Sequence, residues 1–361
     1  MKDIEQLKSL WKSLFGDTEA FISLFFHEVV REENIRVLEE KGRILSALYM
    51  LPYPFRIWNQ EVTASYISGA GTLPEAQGRG LMRRLLIDSF KEMEHRQIPL
   101  SILIPAEPWL YGFYEKSGYA TVFAYNQQVY PPKERRLGED ALVMEKYSIS
   151  DLGDSFLQKR EDLMGACFSY FDQRLRERNA CILHSYTNFR TIVHDYAISD
   201  GKIWVALNNE HIPVGIIFTV PAGGSSFVAK ELVADSKEVK EVLLRTALNH
   251  YHASSGIYRT VVPNTSSEER QTIPFGMARI IDANKILSMW AAVNPERRMI
   301  IHLSDPLLTN NNGSYCIESG KCYKTTNNEH IHAFEVLTMD IGQLAHFLIY
   351  PEHPFMSLMF D

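Results

Sequence analysis

The chain has no run of about 18 apolar residues, the shortest stretch that crosses a bilayer as a helix, so a membrane is not expected as a partner. Cysteine is scarce: Cys167, Cys181, Cys316 and Cys322 are the only four in 361 residues, too few for a disulfide framework. Five residues separate Cys316 from Cys322, which is not the close pairing of common zinc sites, and the twelve histidines show no accompanying ligand spacing, so no metal is expected. There is no basic block. With 37 basic against 44 acidic side chains the net charge is −7, which argues against nucleic acid as the main partner. Low-complexity tracts and short tandem repeats are missing, and a chain 45% hydrophobic and 22% charged has ample material for real cores. The opening MKDIEQLKSLW has no apolar signal core, so the expected location is cytoplasmic.

At roughly 150 residues per domain the length allows two to three domains. Residues 17–31 carry apolar residues at helical spacing after Asp17 and Thr18, either of which could cap. Segments 34–39, 43–51 and 60–69 read as strands. Met82, Leu85, Leu86, Phe90 and Met93 then share one face of a helix, and 100–106, bounded by Pro99 and Pro105, reads as a buried strand. A short helix over 109–116 and a strand over 119–130 complete the unit, and strands alternating with helices imply a mixed α/β sheet. Pro131-Pro132 marks a linker. A second α/β unit follows, with helices at 155–171, 187–196 and 236–252 and strands at 202–208 and 214–220. Beyond Asn294-Pro295 the pattern turns to strands, a helix at 340–348 and a proline-bearing tail. The expected division is 1–130, 131–293 and 294–361.

The most informative stretch is Tyr66-Ile-Ser-Gly-Ala-Gly-Thr-Leu-Pro-Glu-Ala-Gln-Gly-Arg-Gly-Leu-Met82, a strand running through a glycine-bearing loop into the amphipathic helix. A helix start offers backbone N–H groups without internal partners at the positive end of its dipole, and glycine lets phosphate approach the backbone closely. With Arg79 beside it, the loop reads as an anion site suited to a pyrophosphate. Neither GxxxxGK(S/T) nor GxGxxG after the first strand is present. Alone, the loop could equally be an ordinary strand–helix turn. About thirty residues later comes Trp109-Leu-Tyr-Gly-Phe-Tyr-Glu-Lys-Ser-Gly-Tyr119.

The two segments together resemble motifs A and B of the GNAT acyl-CoA-dependent N-acetyltransferases. Gln77 and Gly80 match the Q/R-x-x-G-x-G/A pattern, with Met82 in place of the usual Gly or Ala, and Phe113-Tyr-Glu-Lys-Ser-Gly-Tyr119 matches the second motif. The Met82 departure and the three-part length resemble the Eis-like branch, as does Pro274-Phe-Gly-Met-Ala-Arg279. That resemblance implies tandem GNAT-fold units, the second degenerate, and a C-terminal domain like the sterol-carrier-protein fold. It also implies direct acetyl transfer from acetyl-CoA to a primary amine of a small polyamine or aminoglycoside-like acceptor, without a metal. Ala70, Gly71 and Thr72 would offer backbone partners to the pantetheine arm, and Gln77, Gly78, Arg79, Gly80, Leu81 and Met82 would hold the pyrophosphate. Tyr114 would be the acid for the departing thiolate, with Tyr111, three residues away, as the alternative. The terminal residue, Asp361, would enter the active site as base. The resemblance further implies a homo-oligomer, hexameric in that branch. The second unit has only the acidic, glycine-free Glu231–Lys240 where a coenzyme loop would be. Alternative functions are a non-catalytic acyl-CoA or lipid-binding module, and acetylation of a protein lysine or N-terminus.

Overall fold

A computed structural model describes residues 3–131, 146–262, 272–325 and 334–360. Its centre is one mixed twelve-stranded sheet. The N-terminal part supplies β1 (Ile35–Glu40), β2 (Arg43–Ile57), β3 (Gln60–Thr72), β4 (Leu100–Leu103) and β5 (Ala120–Tyr130). The middle of the chain supplies β6 (Ser148–Asp151), β7 (Cys181–Ile182), β8 (Lys202–Leu207), β9 (Pro213–Ala222), β10 (Ser226–Ala234), β11 (Ser255–Thr260) and β12 (Thr272–Ile280). The order is β1-β2-β3-β4-β12-β5-β11-β10-β9-β8-β6, with β7 on β2.

That order contains a repeat which the sequence hides. Strands β3 and β4 are parallel, as are β10 and β11, and every other pairing in the order is antiparallel. The last strand of each half lies in the other half's territory: β12 pairs with β4, and β5 pairs with β11. The two halves therefore share one sheet and bury one another's edges. The buried pair Arg279–Asp305, at 2.8 Å with both side chains fully excluded from solvent, ties β12 to the C-terminal part.

Helix α1 (Ile4–Phe15) is capped by Asp3 and buries Leu7, Leu10 and Trp11. It is followed by α2 (Glu19–Leu24), capped by Thr18, and a π-helical turn over Phe25–Val29. Helix α3 (Leu81–His95) buries Leu85, Leu86, Phe90 and Met93 against the sheet, the face its sequence marks. After α4 (Pro108–Glu115), the middle of the chain contributes α5 (Leu152–Leu157), α6 (Glu161–Arg176), α7 (Tyr186–Ile198) and α8 (Lys237–His250). The C-terminal part has α9 (Ala283–Val293), α10 (Ile341–Ile349) and the strands β13 (Met299–Ser304), β14 (Gly313–Glu318), β15 (Lys321–Thr325) and β16 (Glu335–Asp340), which form a second sheet in the order β15-β14-β13-β16.

Strand β2 runs six residues past the expected 43–51 despite Pro52 and Pro54. The carbonyl of Pro54 accepts from the Leu183 N–H at 2.8 Å, on the side away from β3, so the missing proline N–H groups face where β1 has already ended. No helix among the described residues is long and apolar enough to cross a membrane.

Candidate active site

Strands β3 and β4 pair only over Ala64–Tyr66 and Leu100–Ile102. Beyond that β3 continues to Thr72, while β4 stops before Pro105, which has no N–H to extend a ladder. The strands thus part, and Ile67–Ala70 and Ile104–Ala106 both line a cleft of about 940 Å³. Strand β3 is bulged opposite Ala47 and Tyr49. Gly69 sits in the bulge at φ +54°, where a Cβ would lie 2.2 Å from the Trp11 ring, so only glycine lets α1 pack this close.

The glycine loop lies between this bulge and α3. Gly78 and Gly80 have φ of +75° and +73°, and a Cβ on either would meet no protein atom within 4 Å. Gly80 is the N-cap of α3, and no side chain caps that helix, so the first-turn N–H groups of Leu81 and Met82 present themselves to whatever occupies the open space. Leu81 is buried beside Leu45 and Ala76, which fixes the loop from below. The residues present fit a diphosphate.

The other expected donor-site residues behave differently. Ala70 lines the cleft. Gly71 and Thr72 are paired with β2; the Gly71 carbonyl accepts from the Ser46 hydroxyl at 2.9 Å, and the Thr72 carbonyl accepts from the Gln77 side chain at 3.2 Å. Arg79 forms an exposed ion pair with Glu40, and Met82 packs against the core around α3.

The two phenols on α4 are separated by their surroundings. Tyr114 is 6% exposed, lines the cleft, and stands between the rings of Phe113 and Tyr119. Its hydroxyl has no hydrogen-bond partner among the described residues, and burial pushes its pKa up to about 12. The Tyr111 hydroxyl donates to the Phe275 carbonyl at 3.1 Å. The segment after α4 is pinned by Ser101, 2.7 Å from the Tyr119 hydroxyl, and by Arg279, which donates to the Ser117 carbonyl. Gly118, at φ +81°, admits that guanidinium; a Cβ there would lie 1.9 Å from it.

The tail reaches the same place. Phe355 exchanges backbone hydrogen bonds with Ala180 and Ile182, and the Ser357 hydroxyl donates to Glu231 at 2.7 Å. Glu231 is 1% exposed. Burial raises its pKa, but Arg178, giving two bonds of 2.9 Å, and Ser357 outweigh that and hold it low. Phe360 lines the cleft. Asp361 lies outside the described residues.

Around the acceptor end, Asp17 and Phe21 line the cleft, and Trp11 joins them, its indole donating to Asp17 at 2.7 Å. Several nearby aromatic and acidic residues are engaged elsewhere. Phe25 and Phe26 are core, Trp58 donates to Glu352, and Glu32 and Glu33 edge a separate hollow with Arg36 and Arg96. Glu28 engages His194 and Thr191, and with Pro52–Pro54 lines a smaller neighbouring cavity. Asp195, Ile198 and Asp200 at the end of α7 line the cleft, and no local sequence signal marks them. Among the described residues no group of His, Cys, Asp and Glu could hold a metal ion, and all four cysteines are free.

A family model described as an acetyltransferase (GNAT) domain matches residues 1–122. These residues form a GNAT domain. The chain is accordingly an acyltransferase, and a GNAT domain takes its acyl group from an acyl-CoA donor. Beyond that domain, the chain resembles a GCN5-related N-acetyltransferase from Anabaena variabilis (TM-score 0.73, 17% identity, covering 99% of this chain and 97% of that one). It also resembles Eis1 from Mycobacterium abscessus (TM-score 0.68, 13% identity, 96% and 86% covered) and a GCN5-related N-acetyltransferase from Kribbella flavida (TM-score 0.66, 16% identity, 95% and 85% covered). These likenesses show that the fold extends over the whole chain. A search of curated proteins finds no match.

Proposed function

We propose that the protein transfers an acetyl group from acetyl-CoA directly to a primary amine of a small polyamine or aminoglycoside-like acceptor. The observation that carries this reading is the parting of β3 and β4 beside an uncapped α3, with the Tyr114 hydroxyl in the same cleft. In this reading Ala70, Gly71 and Thr72 flank the pantetheine arm, and the loop from Gln77 to Met82 receives the diphosphate. The neutral amine attacks the thioester carbonyl, and the C–S bond breaks as the amide forms. The departing thiolate takes the Tyr114 proton, which burial keeps on the phenol through the working pH range. The ammonium proton goes to the carboxylates of the terminal residue, Asp361, whose approach is supported by the anchoring of Phe355 and Ser357. Phenol and base are then restored by solvent exchange.

The middle unit offers no equivalent donor site in this reading. Its matching helix, α8, is capped by its own Ser236 at 3.1 Å, and Glu231 holds a negative charge on the parallel strand where the arm would lie. The test is thiol release from acetyl-CoA with a panel of polyamines, aminoglycosides and lysine peptides, with the acetylated product identified by mass. Release with small polyamines or aminoglycosides above the peptides supports the reading, and release with none of them refutes it.

A further inference from the structure

The cleft is built by two units. One wall comes from the GNAT domain and includes Asp17; another comes from the last turn of α7 and the bend after it, in the middle unit, and includes Asp195 and Asp200. Its described lining residues comprise three carboxylates and no Lys, Arg or His. Helix α7 ends without a basic residue in its last turn, so its carbonyl end adds negative potential at the same place. Tyr114, only 6% exposed and with a hydroxyl that has no partner among the described residues, lines the same cleft and independently marks it as a place for a ligand.

Asp195 is the carboxylate there that most needs such a contact. Burial and the like charge of Asp17 disfavour its ionised form, while Lys230 on β10 and the adjacent His194 favour it, and the net effect is a raised pKa. The His194 ring is already 2.7 Å from Glu28. A cation arriving in the cleft would offset the cost of burying that charge and leave Asp195 paired.

We propose that Asp195 is a specificity-determining residue whose carboxylate holds a positive charge of the acceptor other than the amine being acetylated. The middle unit, not the donor-binding domain, would then set the preference for acceptors with two or more charges. This inference rests on the amine-acetylation reading above.

The experiment compares 1,5-diaminopentane with pentylamine, using the full chain and acetyl-CoA, and reads the ratio of their kcat/KM values. The wild type should favour the diamine at least tenfold. Asp195→Asn should bring that ratio to within threefold of unity, with the pentylamine kcat/KM and the KM for acetyl-CoA moved less than threefold, and Asp195→Glu should restore most of the preference. A purely structural role would lower both amines alike, and that result, or an unchanged ratio in Asp195→Asn, overturns the inference. Absence of any turnover by a wild type that still binds acetyl-CoA overturns the acetylation reading and the inference with it, and is distinguished by the normal donor binding.

Discussion

Replacing Tyr114 by phenylalanine removes one oxygen from a packed site. The ring keeps its neighbours Phe113 and Tyr119, and the lost hydroxyl leaves no described protein group without a partner. Stability should therefore change little, because the usual penalty for an orphaned buried donor or acceptor does not arise. Turnover should change greatly. A positioned general acid contributes on the order of 100- to 10,000-fold, so loss of the proton donor should raise the barrier by about 2.7 to 5.4 kcal/mol. Water entering the cleft can replace part of this, which places the expected loss near the lower figure. The assay is thiol release under saturating acetyl-CoA, paired with calorimetric donor binding and a melting curve. The expected result is kcat down at least about 100-fold, donor affinity within twofold and an unshifted Tm. The wild-type kcat should also show no decline from Tyr114 ionisation below pH ~10, since burial lifts that pKa to about 12. A kcat within threefold of the wild type, or a loss matched by an equal loss of donor affinity, refutes the acid role.

Gly80→Ala should lower Tm by a few degrees, because its +73° φ costs a residue with a Cβ about 1–2 kcal/mol, and should weaken acetyl-CoA binding. Gly80→Asn, which tolerates that backbone, should recover stability but not donor affinity; full recovery of affinity would show that no phosphate approaches there. Deleting Phe360 and Asp361 should abolish turnover while leaving acetyl-CoA binding intact, and a fully active truncated enzyme refutes the terminal base. Stability against pH should show two opposed effects. Asp195 has its pKa raised from 3.8 to about 6, so between these values the folded state keeps a proton the unfolded chain has lost, and stability falls as pH rises, by up to about 3 kcal/mol. His184, buried and lowered from 6.5 to about 4, does the reverse and loses stability as pH falls through that window. Asp195→Asn should therefore be more stable than the wild type at pH 7.5, equal to it below pH 4, and steeper between, by chemical denaturation at each pH; equal stability throughout contradicts the buried carboxylate.

What could be read from the sequence is what is local in it. The loop through Gln77–Met82 and the helix after it announce themselves because glycine spacing and a helical apolar face are short-range signals, and Tyr114 is found through the same kind of run. The strand exchange is not local. Nothing in Thr272–Ile280 says that it will lie between β4 and β5, about 150 residues upstream, and its pairing is decided by which edges remain open once both halves are assembled. The prolines of β2 misled for a related reason, since a proline breaks a strand only where its N–H is needed. Asp195 joins the cleft through docking of α7 beside α2 and the π-helical turn, with Thr191 and His194 held on Glu28, and the tail through Glu231 and Ser357. Each of these is a long-range contact made by an ordinary residue type.

In the proposed function the chain has a single donor site, at the parting of β3 and β4, with the corresponding parting of β10 and β11 closed by Ser236 and Glu231. Calorimetric titration of the full chain with acetyl-CoA tests this most directly. One equivalent per chain, lost on Gly80→Asn, is the predicted result; no binding, or two equivalents per chain, would contradict it.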